Sequence, residues 1–320
     1  MSVRDMPTWG LVSTIKARDD TILDFAAYHL DLGAHRLHIY LDEDAPRARQ
    51  ALENHPKCRV TLCDDAYWQK HGPRDGRPPK HQTRQSHNAT RAYRRNPQVD
   101  WLAHIDVDEF LLPETDLPAQ LAALPTDTVC ARTRAVEALA EPDGRAPRCF
   151  KACHLNRKER MAATRDLYPE FGIHLNGGFL SHVAGKIFTR TGLPGLRLRI
   201  HQAFLDGAPV KDDVDLPQTR LLHLHAPSWD DFLAAYHFRL SHGSYRAELK
   251  GAPTPEGEGL TMNALFQMIE ADGGEAALRR FYDEVCTASP RLLKGLEERG
   301  LLICHALDFG PARARHFPQR

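Results

Sequence analysis

The sequence predicts an α/β protein built on a mostly parallel sheet flanked by helices. Two observations carry this prediction. Candidate strands alternate with helical patterns from residue 9 to residue 113, and three of the four candidate strands end in aspartate. Such alternation favours parallel strands with helices on both faces of the sheet. Ligands bind these sheets beyond the carboxyl ends of the strands, so the aspartates indicate a functional site at that edge.

Hydrophobic periodicity defines the first two strands and the helix between them. Residues 9–15 form a short apolar run, which predicts a strand. Residues 19–33 place their apolar side chains on one face with the 3.6-residue period of a helix. Residues 36–44 then alternate apolar and polar side chains, as strands do, and run into an acidic cluster that begins at Asp42.

Two further strands complete the alternation. A short helix over residues 46–56 precedes a third strand at residues 58–65, which ends in carboxylates that include Asp64. A helix over residues 84–96 precedes a fourth strand at residues 100–110, with the sequence DWLAHIDVDEF. The fourth strand therefore also delivers acidic side chains to the predicted ligand-binding edge.

The pattern weakens after residue 113 and becomes helical from Ser228. Ser228 is a good N-cap, and the acidic residues after it suit the first turn of a helix. We therefore expect a main domain over residues 1–227 and a helical C-terminal extension over residues 228–320, packed on it. Basic residues near the end predict a solvated or mobile tail: Arg313, Arg315, His316 and Arg320.

Composition argues against several classes of protein. Hydrophobic residues make up 42% of the chain, enough for a sizeable core, and 42 basic residues balance 42 acidic ones. That balance argues against a nucleic-acid binder held mainly by phosphate contacts. No apolar run approaches the roughly 18–20 residues that span a bilayer, and the first ten residues lack the apolar core of a signal peptide. The seven cysteines contain no CxxC pair, so we expect reduced thiols and a cytoplasmic location.

The most informative stretch is HIDVDEFLLP, where Asp106, Asp108 and Glu109 interrupt an apolar run. Acidic groups are costly to bury unless they are paired or bind a metal. On an extended strand, residues two apart face the same side, so we expect Asp106 and Asp108 to point together. Such oxygen ligands suit Mg²⁺ or Mn²⁺, with a diphosphate completing the shell. A D-x-D that closes a turn or caps a helix is the structural alternative.

These residues resemble a known family. Residues 101–113, WLAHIDVDEFLLP, look like the D-x-D-E-F segment of family 2 glycosyltransferases, in the branch with a GT-A fold. Residues 15–44 resemble the opening of that branch, in which a helix ending Tyr-His-x-x-x-Gly is followed by a strand ending in Asp. Asn88 also falls where the branch tends to carry Asn. The resemblance implies a GT-A fold, Rossmann-like, for the main domain.

The resemblance also implies a glycosyltransferase that depends on Mn²⁺ or Mg²⁺ and takes its sugar from a nucleotide-diphosphate-sugar. Asp106 would contact the ribose or the metal, and Asp108 would be the main metal ligand. Asp42 and Asp64 match places where such enzymes hold the nucleoside. One departure is that residues 16–18, Lys-Ala-Arg, replace the family's Lys-Asn-Glu.

Two further segments are similar to family segments. His223, in LLHLHAPSWDDF, lies five residues before Ser228, and that spacing selects it over His225 as the histidine that would complete the metal shell. The alternative for either histidine is a hydrogen-bonded core residue. Lys186 and Arg190 match a Lys-x-x-x-Arg segment and would both reach the diphosphate; two solvated cations on a strand are the alternative.

An inverting transfer needs a carboxylate or histidine that takes the acceptor's proton. We expect Glu170 to be this base, because it comes just before the glycine pair at residues 177–178, where backbone can approach a sugar closely. Glu109, Asp166 and His174 stay open as alternatives. The glycine pair is equally compatible with an ordinary hairpin turn.

Two other functions stay open on sequence grounds. A nucleotidyltransferase uses a related sheet and metal, but it needs a glycine-rich phosphate loop after the first strand, and KARDDT contains no glycine. A non-catalytic nucleotide- or sugar-binding protein is the other alternative. The expected partners are a nucleotide-sugar donor and a saccharide, lipid-linked or protein acceptor, without nucleic acid or a transmembrane segment. Peripheral membrane contact through the C-terminal helices is also open.

Overall fold

A computed structural model describes residues 6–74, 76–241, 245, 253–254 and 257–318. Its earlier elements are, in chain order, β1 (Trp9–Ile15), α1 (Asp19–Asp31), β2 (Arg36–Leu41), α2 (Pro46–Glu53), β3 (Cys58–Leu62), α3 (Asp65–His71), α4 (His81–Arg94), β4 (Trp101–His104), β5 (Glu109–Pro113), α5 (Leu117–Ala122), β6 (Cys130–Leu139), β7 (Cys149–Lys151) and α6 (Arg157–Leu167). After a 3-10 turn (Gly172–His174) come β8 (Lys186–Arg190), β9 (Arg197–Leu198), β10 (Ala203–Leu205), β11 (Ala208–Pro209), β12 (Val214–His223), α7 (Trp229–Ser241), β13 (Pro253–Thr254), β14 (Gly257–Glu258), α8 (Met262–Val285), α9 (Pro290–Glu297), β15 (Leu302–Cys304) and α10 (Gly310–His316).

The chain divides into two compact units, each made of separate stretches of sequence. The first unit comprises Met1–Arg134, Ala184–Leu221 and Asp308–Arg320, and the second comprises Ala135–Val183 and Leu222–Leu307. The two units are groups of residues that contact each other more than they contact the rest of the chain. The predicted domain boundary between residues 227 and 228 stays a prediction.

The first unit contains four parallel strands in the order β3-β2-β1-β4. Strand β1 is buried along its whole length, as expected for a central strand between parallel neighbours. The strands alternate with helices α1 to α4, so the predicted α/β class is confirmed. Because these strands run in one direction, their carboxyl ends lie along one edge.

Beyond β4, the strand pairing of the first unit becomes antiparallel. Strand β8 pairs with β4, with Leu102 opposite Thr189, and the first part of β6 pairs with β8, with Ala131 opposite Phe188. The sequence indicated strands in this region without predicting their direction. The reversal has a functional consequence, because it brings the start of β8 to the carboxyl end of β4.

The prediction of one continuous fourth strand over residues 100–110 is wrong. Strand β4 ends at His104, and the chain turns before β5 begins at Glu109. The turn is closed by a 3.1 Å hydrogen bond in which the backbone N–H of Glu109 donates to the carbonyl of Asp106. Asp106 and Asp108 are therefore not successive same-face residues of an extended strand, because the turn changes the direction of the backbone between them.

The second unit packs its helices around an aromatic-rich apolar cluster that includes Tyr168, Phe232 and Phe266. Helix α7 begins as predicted, since the hydroxyl of Ser228 accepts a 3.1 Å hydrogen bond from the backbone N–H of Asp231. Helix α8 is interrupted at Gly274, whose φ is 56°. None of the helices in the described part of the chain combines the length and apolar character that a bilayer crossing requires.

A disulfide joins two strands of the second unit. Strands β7 and β15 are antiparallel, and their register places Cys304 opposite Cys149, to which it is bonded. The other five cysteines are free thiols. The expectation of reduced cysteines therefore fails for this pair, which sequence spacing does not reveal because 155 residues separate the two partners.

The last helix of the described chain packs against α1 within the first unit. In α10, Arg313 donates a 2.8 Å hydrogen bond to Asp24, and Arg315 contacts Asp31 at 2.6 Å. Acidic side chains of α1 pair with both arginines, but the side chain of Arg315 is 59% exposed, as expected for a solvated tail, whereas that of Arg313 is only 19% exposed. Arg320 lies outside the described residues.

Candidate functional site

Acidic residues follow three neighbouring parallel strands of the first unit. Asp42 comes directly after β2, Asp64 follows β3, and Asp106 and Asp108 lie in the turn after β4. All four therefore lie at the carboxyl edge of the parallel strands, as the sequence predicted from strand direction alone.

Lys186 is the residue around which the turn after β4 is organised. Its ammonium nitrogen lies 2.6 Å from Oδ2 of Asp106 and 3.2 Å from Oε2 of Glu109, and the side chain is only 1% exposed. Burial acts to lower the pKa of Lys186, but the neighbouring charges of Asp106 and Glu109 outweigh it and raise the pKa above its ordinary value. Lys186 is thus a permanent cation at the start of β8.

Two further contacts fix the Asp106 carboxylate and the Glu109 side chain. The side-chain amide of Gln85, on α4, donates to Oδ1 of Asp106. The carboxylate of Glu109 accepts a 2.7 Å hydrogen bond from the backbone N–H of Asp106 and is 3% exposed. This geometry favours a positioning role for Glu109 over its predicted role as catalytic base, because its carboxylate already holds the turn together.

The two aspartates of the D-x-D motif have different electrostatic surroundings. Asp106 is neutralised by Lys186, and a divalent cation bound to Asp106 would face that ammonium charge at short range. Asp108 lies in the same turn and is half-buried. Among the carboxylates of this turn, Asp108 is therefore the best candidate for a metal ligand. Asp106 is better suited to accept hydrogen bonds from a neutral ligand.

Asp42 anchors a basic loop to the end of β2. Its side chain has no exposed surface, and both carboxylate oxygens lie 3.0 Å from Nε of Arg84, with Nη2 of Arg77 at 3.1 Å from Oδ1 and His81 at 3.4 Å from Oδ2. Burial acts to raise the pKa of Asp42, but the hydrogen bonds from His81 and Arg84 hold it well below its usual range. The predicted nucleoside contact stays a prediction, since two arginines and a histidine already surround this carboxylate.

Two other predicted positions have structural partners. Asp64 is exposed and caps α3, where its carboxylate accepts a 2.8 Å hydrogen bond from the N–H of Tyr67. Asn88 is fully buried; its amide donates to the hydroxyl of Thr14 at 3.1 Å and accepts from Tyr67 at 2.6 Å. Asp64 thus caps a helix while its predicted nucleoside contact stays a prediction, and Asn88 is part of the core behind the site.

Lys186 and Arg190 lie at opposite ends of β8. Lys186 reaches the turn after β4, whereas Arg190 pairs with Trp101 at the start of β4 and lies over its ring at 4.5 Å. Arg190 also donates to the carbonyl of Thr128 at 2.9 Å. Four residues of strand separate the Cα atoms of the two residues by about 13 Å. Of the two, Lys186 contacts the carboxylate cluster, and the expectation that both reach one diphosphate stays a prediction.

The second unit contains the two histidines weighed as metal ligands. The rings of His223 and His225 have centroids 5.0 Å apart, and both residues are buried. Nε2 of His225 lies 2.9 Å from the hydroxyl of Tyr245, which fits the alternative of a hydrogen-bonded core histidine. Burial acts to raise the pKa of Glu137, while Lys151 and then His223 lower it, so the net shift is downward. His223 therefore lies within electrostatic reach of a buried carboxylate.

The remaining candidates for the catalytic base also belong to the second unit. Glu170 is exposed, and its backbone N–H donates to the carboxylate of Glu284 at 3.1 Å. Asp166 pairs with Arg299 at 3.2 Å. Burial lowers the pKa of His174. The role of Glu170 stays a prediction.

The glycine pair at residues 177–178 has a packing role in the second unit. A Cβ atom at Gly178 would lie 2.3 Å from the ring of Tyr168, and one at Gly177 would lie 2.8 Å from Cβ of Cys153. Both glycines have positive φ. These contacts favour the hairpin-turn alternative over close approach to a sugar.

Several residues of the first-unit site were not singled out from the sequence. Gln85, Arg84, Arg77 and His81 all contact the aspartates at the strand ends. A usable signal was present, because these residues lie in the basic loop and helix that precede β4. Helix periodicity places Gln85 on the buried face of α4, where a polar side chain needs a partner.

No protein-family model matches the sequence, and no curated protein matches it. Several solved structures resemble the chain, and they include the following three. The galactosyltransferase LgtC, in complex with donor and acceptor sugar analogues, has 12% identity and a TM-score of 0.27 over 57% of each chain. GalNAc-T7 with UDP, GalNAc and Mn²⁺ has 11% identity and a TM-score of 0.38, covering 92% of this chain and 57% of that chain. HddC from Yersinia pseudotuberculosis has 11% identity and a TM-score of 0.34, and the match covers 73% of this chain and 99% of that chain.

The match spans little more than half of the length of LgtC and of GalNAc-T7. All three TM-scores lie well under one half and all three identities are 11–12%. Similarities this weak do not assign the chain to a family.

Proposed function

We propose that this chain is a glycosyltransferase of GT-A type, related to family 2, that takes its sugar from a nucleotide-diphosphate-sugar. The observation that carries the proposal is the turn after β4, where buried Lys186 fixes Asp106 and Glu109 and leaves Asp108 in the same turn. This turn lies at the carboxyl edge of parallel strands, where α/β proteins bind their ligands. A purely structural turn would not need three carboxylates and a buried cation, given the cost of desolvating them.

The turn residues have distinct proposed roles. Asp106, held by Lys186 and Gln85, would accept hydrogen bonds from the ribose of the donor. Asp108 of the first unit and His223 of the second stay the proposed metal ligands, on the strength of the sequence resemblance. Carboxylate and imidazole ligands suit Mn²⁺, and Mg²⁺ would use the carboxylate with water. The bound ion would offset the negative charge that develops on the departing diphosphate.

The proposed reaction is a single displacement. A hydroxyl oxygen of the acceptor attacks the anomeric carbon, the bond from that carbon to the diphosphate oxygen breaks, and the hydroxyl proton passes to a base. We propose Glu170 for this base, because Glu109 is engaged in the turn. The outcome would be inversion at the anomeric carbon. The acceptor is a saccharide, a lipid-linked sugar or a protein, and nucleic acid is not expected.

A cytoplasmic location with peripheral membrane contact stays part of the proposal. Five free cysteines favour a reducing compartment, whereas the disulfide between Cys149 and Cys304 does not, because such bonds persist mainly in oxidising compartments. Measuring free thiols in protein extracted under acid quench would decide which state the cell maintains.

The test of the proposal is binding of nucleotides with and without metal. Thermal unfolding is followed with nucleoside diphosphates and nucleotide-sugars, each with Mn²⁺, with Mg²⁺ or with chelator. A ligand that binds only the folded state stabilises it by about 2.7 kcal/mol at a hundredfold excess over Kd. We expect one nucleotide to raise the melting temperature only with metal, and Asp108→Asn to abolish that shift.

The matched control is Glu53→Gln, which removes one carboxylate from the exposed surface of α2. It should keep the metal-dependent shift in full. If no nucleotide shifts the melting temperature of the unaltered chain, or if Asp108→Asn shifts like the control, the proposed donor site is wrong.

Product analysis separates the proposal from its two alternatives. A glycosyltransferase releases a nucleoside diphosphate from the donor. A nucleotidyltransferase releases pyrophosphate, and a non-catalytic binding protein shows the metal-dependent shift without either product. Detection of pyrophosphate from a nucleoside triphosphate and a sugar phosphate would therefore replace the proposed reaction.

A further inference from the structure

The first unit contains a large cavity that the proposed donor site does not use. Its volume is about 980 Å³, within the range of small-ligand sites, and it lies between α4 and the hairpin formed by β9 and β10. The two walls are fixed to each other, since the hydroxyl of Thr90 on α4 donates to the carbonyl of Leu198 at 3.2 Å and accepts from its N–H at 3.0 Å. The cavity is therefore a built feature of this unit.

Five arginines line the cavity, and no aspartate or glutamate does so among the residues that the structure describes. Arg91 and Arg94 lie on α4, Arg95 directly follows that helix, and Arg197 and Arg199 come from the facing hairpin. Arginine stays protonated at all physiological pH values. The cavity thus concentrates positive charge in a chain whose formal net charge is zero.

Among the residues that the structure describes, none of the five arginines forms an ion pair with an acidic side chain. Two of them lie near aromatic rings: the guanidinium of Arg91 is 5.8 Å from the ring of Tyr67, and that of Arg199 is 5.3 Å from the ring of Phe204. Burial, and then the charges of Arg91 and Arg95, lower the pKa of His71 at the cavity wall. Like charges held together in this way favour an anionic ligand.

A lining residue connects the cavity wall to the segment that carries Lys186 of the carboxylate cluster. His201 lines the cavity, and its Nδ1 lies 2.8 Å from the carbonyl of Gly185, the residue before Lys186. On the opposite wall, Gln82 and Ser86 flank Gln85, whose amide holds Asp106. A ligand in the cavity would therefore extend from the arginines toward Asp106.

The cavity also offers groups that suit a sugar. The half-buried ring of Phe204 gives an apolar surface for a sugar face, and the side chains of Thr83, Ser86 and Gln202 give partners for hydroxyl groups. Arginine pairs with carboxylates and phosphates through two parallel hydrogen bonds. The combination fits a short saccharide that carries anionic groups.

We propose that this cavity is the acceptor site, and that the acceptor is an acidic saccharide bearing carboxylate or phosphate groups. The inference rests on the proposed function, because it identifies the anionic saccharide as the partner that receives the sugar. The hydroxyl of the bound acceptor nearest His201 would be the one presented toward the carboxylate cluster.

The test measures binding of matched saccharides to the full chain by calorimetry. The probes are trigalacturonate for carboxylates, maltose 1-phosphate for phosphate, and maltotriose as a neutral match. We expect trigalacturonate or maltose 1-phosphate to bind at least about tenfold more tightly than maltotriose, since charge-assisted contacts are the stronger ones. Affinity should fall as salt rises. The probe that binds more tightly identifies which anionic group the cavity selects.

The variant for this test is Arg95→Gln with Arg197→Gln, one exposed arginine from each wall. The matched control is Arg74→Gln with Arg165→Gln, which removes the same charge from exposed positions outside the cavity. We expect the cavity variant to weaken binding of the acidic probe about tenfold and the control less than twofold. Both should keep the metal-dependent thermal shift with nucleotide.

Three outcomes would overturn the inference. The first is binding of maltotriose as tight as that of the acidic probes. The second is loss of nucleotide binding in the cavity variant, which would make the cavity part of the donor site. The third is tighter binding of a single-stranded oligonucleotide than of either acidic saccharide. Failure of the proposed function looks different: no nucleotide would bind, while the acidic saccharide would still bind through the arginines.

Discussion

The ammonium group of Lys186 lies 2.6 Å from the carboxylate of Asp106, and the side chain of this lysine is 1% exposed. The two residues are 80 apart in the sequence and meet because β8 runs antiparallel to β4. Strand direction thus brings a buried cation to the turn that carries the acidic motif.

Replacing Lys186 by methionine should strongly destabilise the fold. The substitution leaves the carboxylates of Asp106 and Glu109 beside each other without the buried cation that pairs with both. We expect the free energy of unfolding in urea to fall by about 3–5 kcal/mol, as when one partner of a buried ion pair is removed. The control Lys16→Met breaks an exposed pair with Glu43 and should cost less than about 1 kcal/mol. Equal losses in the two variants would contradict the role given to Lys186.

Asp42 should make the fold sensitive to acid. Its pKa in the folded state lies below the ordinary value of 3.8, because the opposing effect of burial is outweighed by His81 and Arg84. A depressed carboxyl pKa contributes stability that is complete above the unfolded value and is lost as the pH falls below it. We expect Asp42→Asn to lower the free energy of unfolding by about 2–3 kcal/mol at pH 7 and by roughly 1 kcal/mol less at pH 3, because the loss begins only below pH 3.8 and proceeds at about 1.4 kcal/mol per pH unit.

The control for this prediction is Asp44→Asn. Asp44 forms a longer and more exposed pair with Arg49, at 3.4 Å, so its loss should change stability by less than about 1 kcal/mol. An Asp42→Asn variant that is equally destabilised at pH 7 and pH 3 would show that the carboxylate acts without its charge.

His29 should produce a second pH dependence at milder acidity. Burial lowers its pKa to about 3, although a 2.8 Å hydrogen bond to the carbonyl of Phe25 acts in the other direction. Unfolding restores the ordinary value of 6.5, so the unfolded chain binds a proton that the folded chain excludes. Stability should therefore be complete above pH 6.5 and fall by about 1.4 kcal/mol per pH unit below it.

His29→Gln isolates this effect, because glutamine keeps a donor and an acceptor without a titrating ring. Urea unfolding between pH 7 and pH 4.5 should show a flatter slope for this variant. His237→Gln, at an exposed position on α7, should keep the slope of the unaltered chain. Identical slopes in all three proteins would rule out His29 as the source.

Gly178 should tolerate no side chain. An added Cβ would lie 2.3 Å from the ring of the fully buried Tyr168, and φ at this position is 75°. Overpacking and backbone strain together predict that Gly178→Ala lowers the free energy of unfolding by about 2–4 kcal/mol. Gly144→Ala is the matched control, with the same φ and no atom within 4 Å of the added carbon, and should cost only about 1 kcal/mol. Similar losses would mean that Tyr168 moves aside without cost.

The sequence predicted the parts of the site that depend on local pattern and strand direction. The alternation of strands and helices indicated the parallel strands, and parallel strands carry Asp42, Asp64 and the Asp106 turn to one edge. The sequence did not predict the turn itself, because the segment IDVDEF is equally compatible with a continuous strand and with a turn. It also did not predict that Lys186 rather than Arg190 reaches this turn, since that follows from the antiparallel pairing of β8 with β4.

Long-range pairing explains most of the rest. Lys186 with Asp106, Arg84 with Asp42, and Cys149 with Cys304 are contacts between residues far apart in sequence. The pattern around each residue fits a solvated group or a free thiol equally well. Only the arrangement of the elements decides which partner is in reach. The cationic face of α4 is different, because helix periodicity alone could have revealed it.

The composition of the first unit from three separate stretches has a consequence for synthesis. Helix α1 leaves the ribosome well before α10, whose arginines pair with Asp24 and Asp31. The first unit therefore cannot reach its final packing until α10 has emerged, and the second unit is translated in the interval. Contacts between such distant segments form slowly and leave apolar surface exposed meanwhile. The nascent chain should accordingly depend on chaperones until α10 docks.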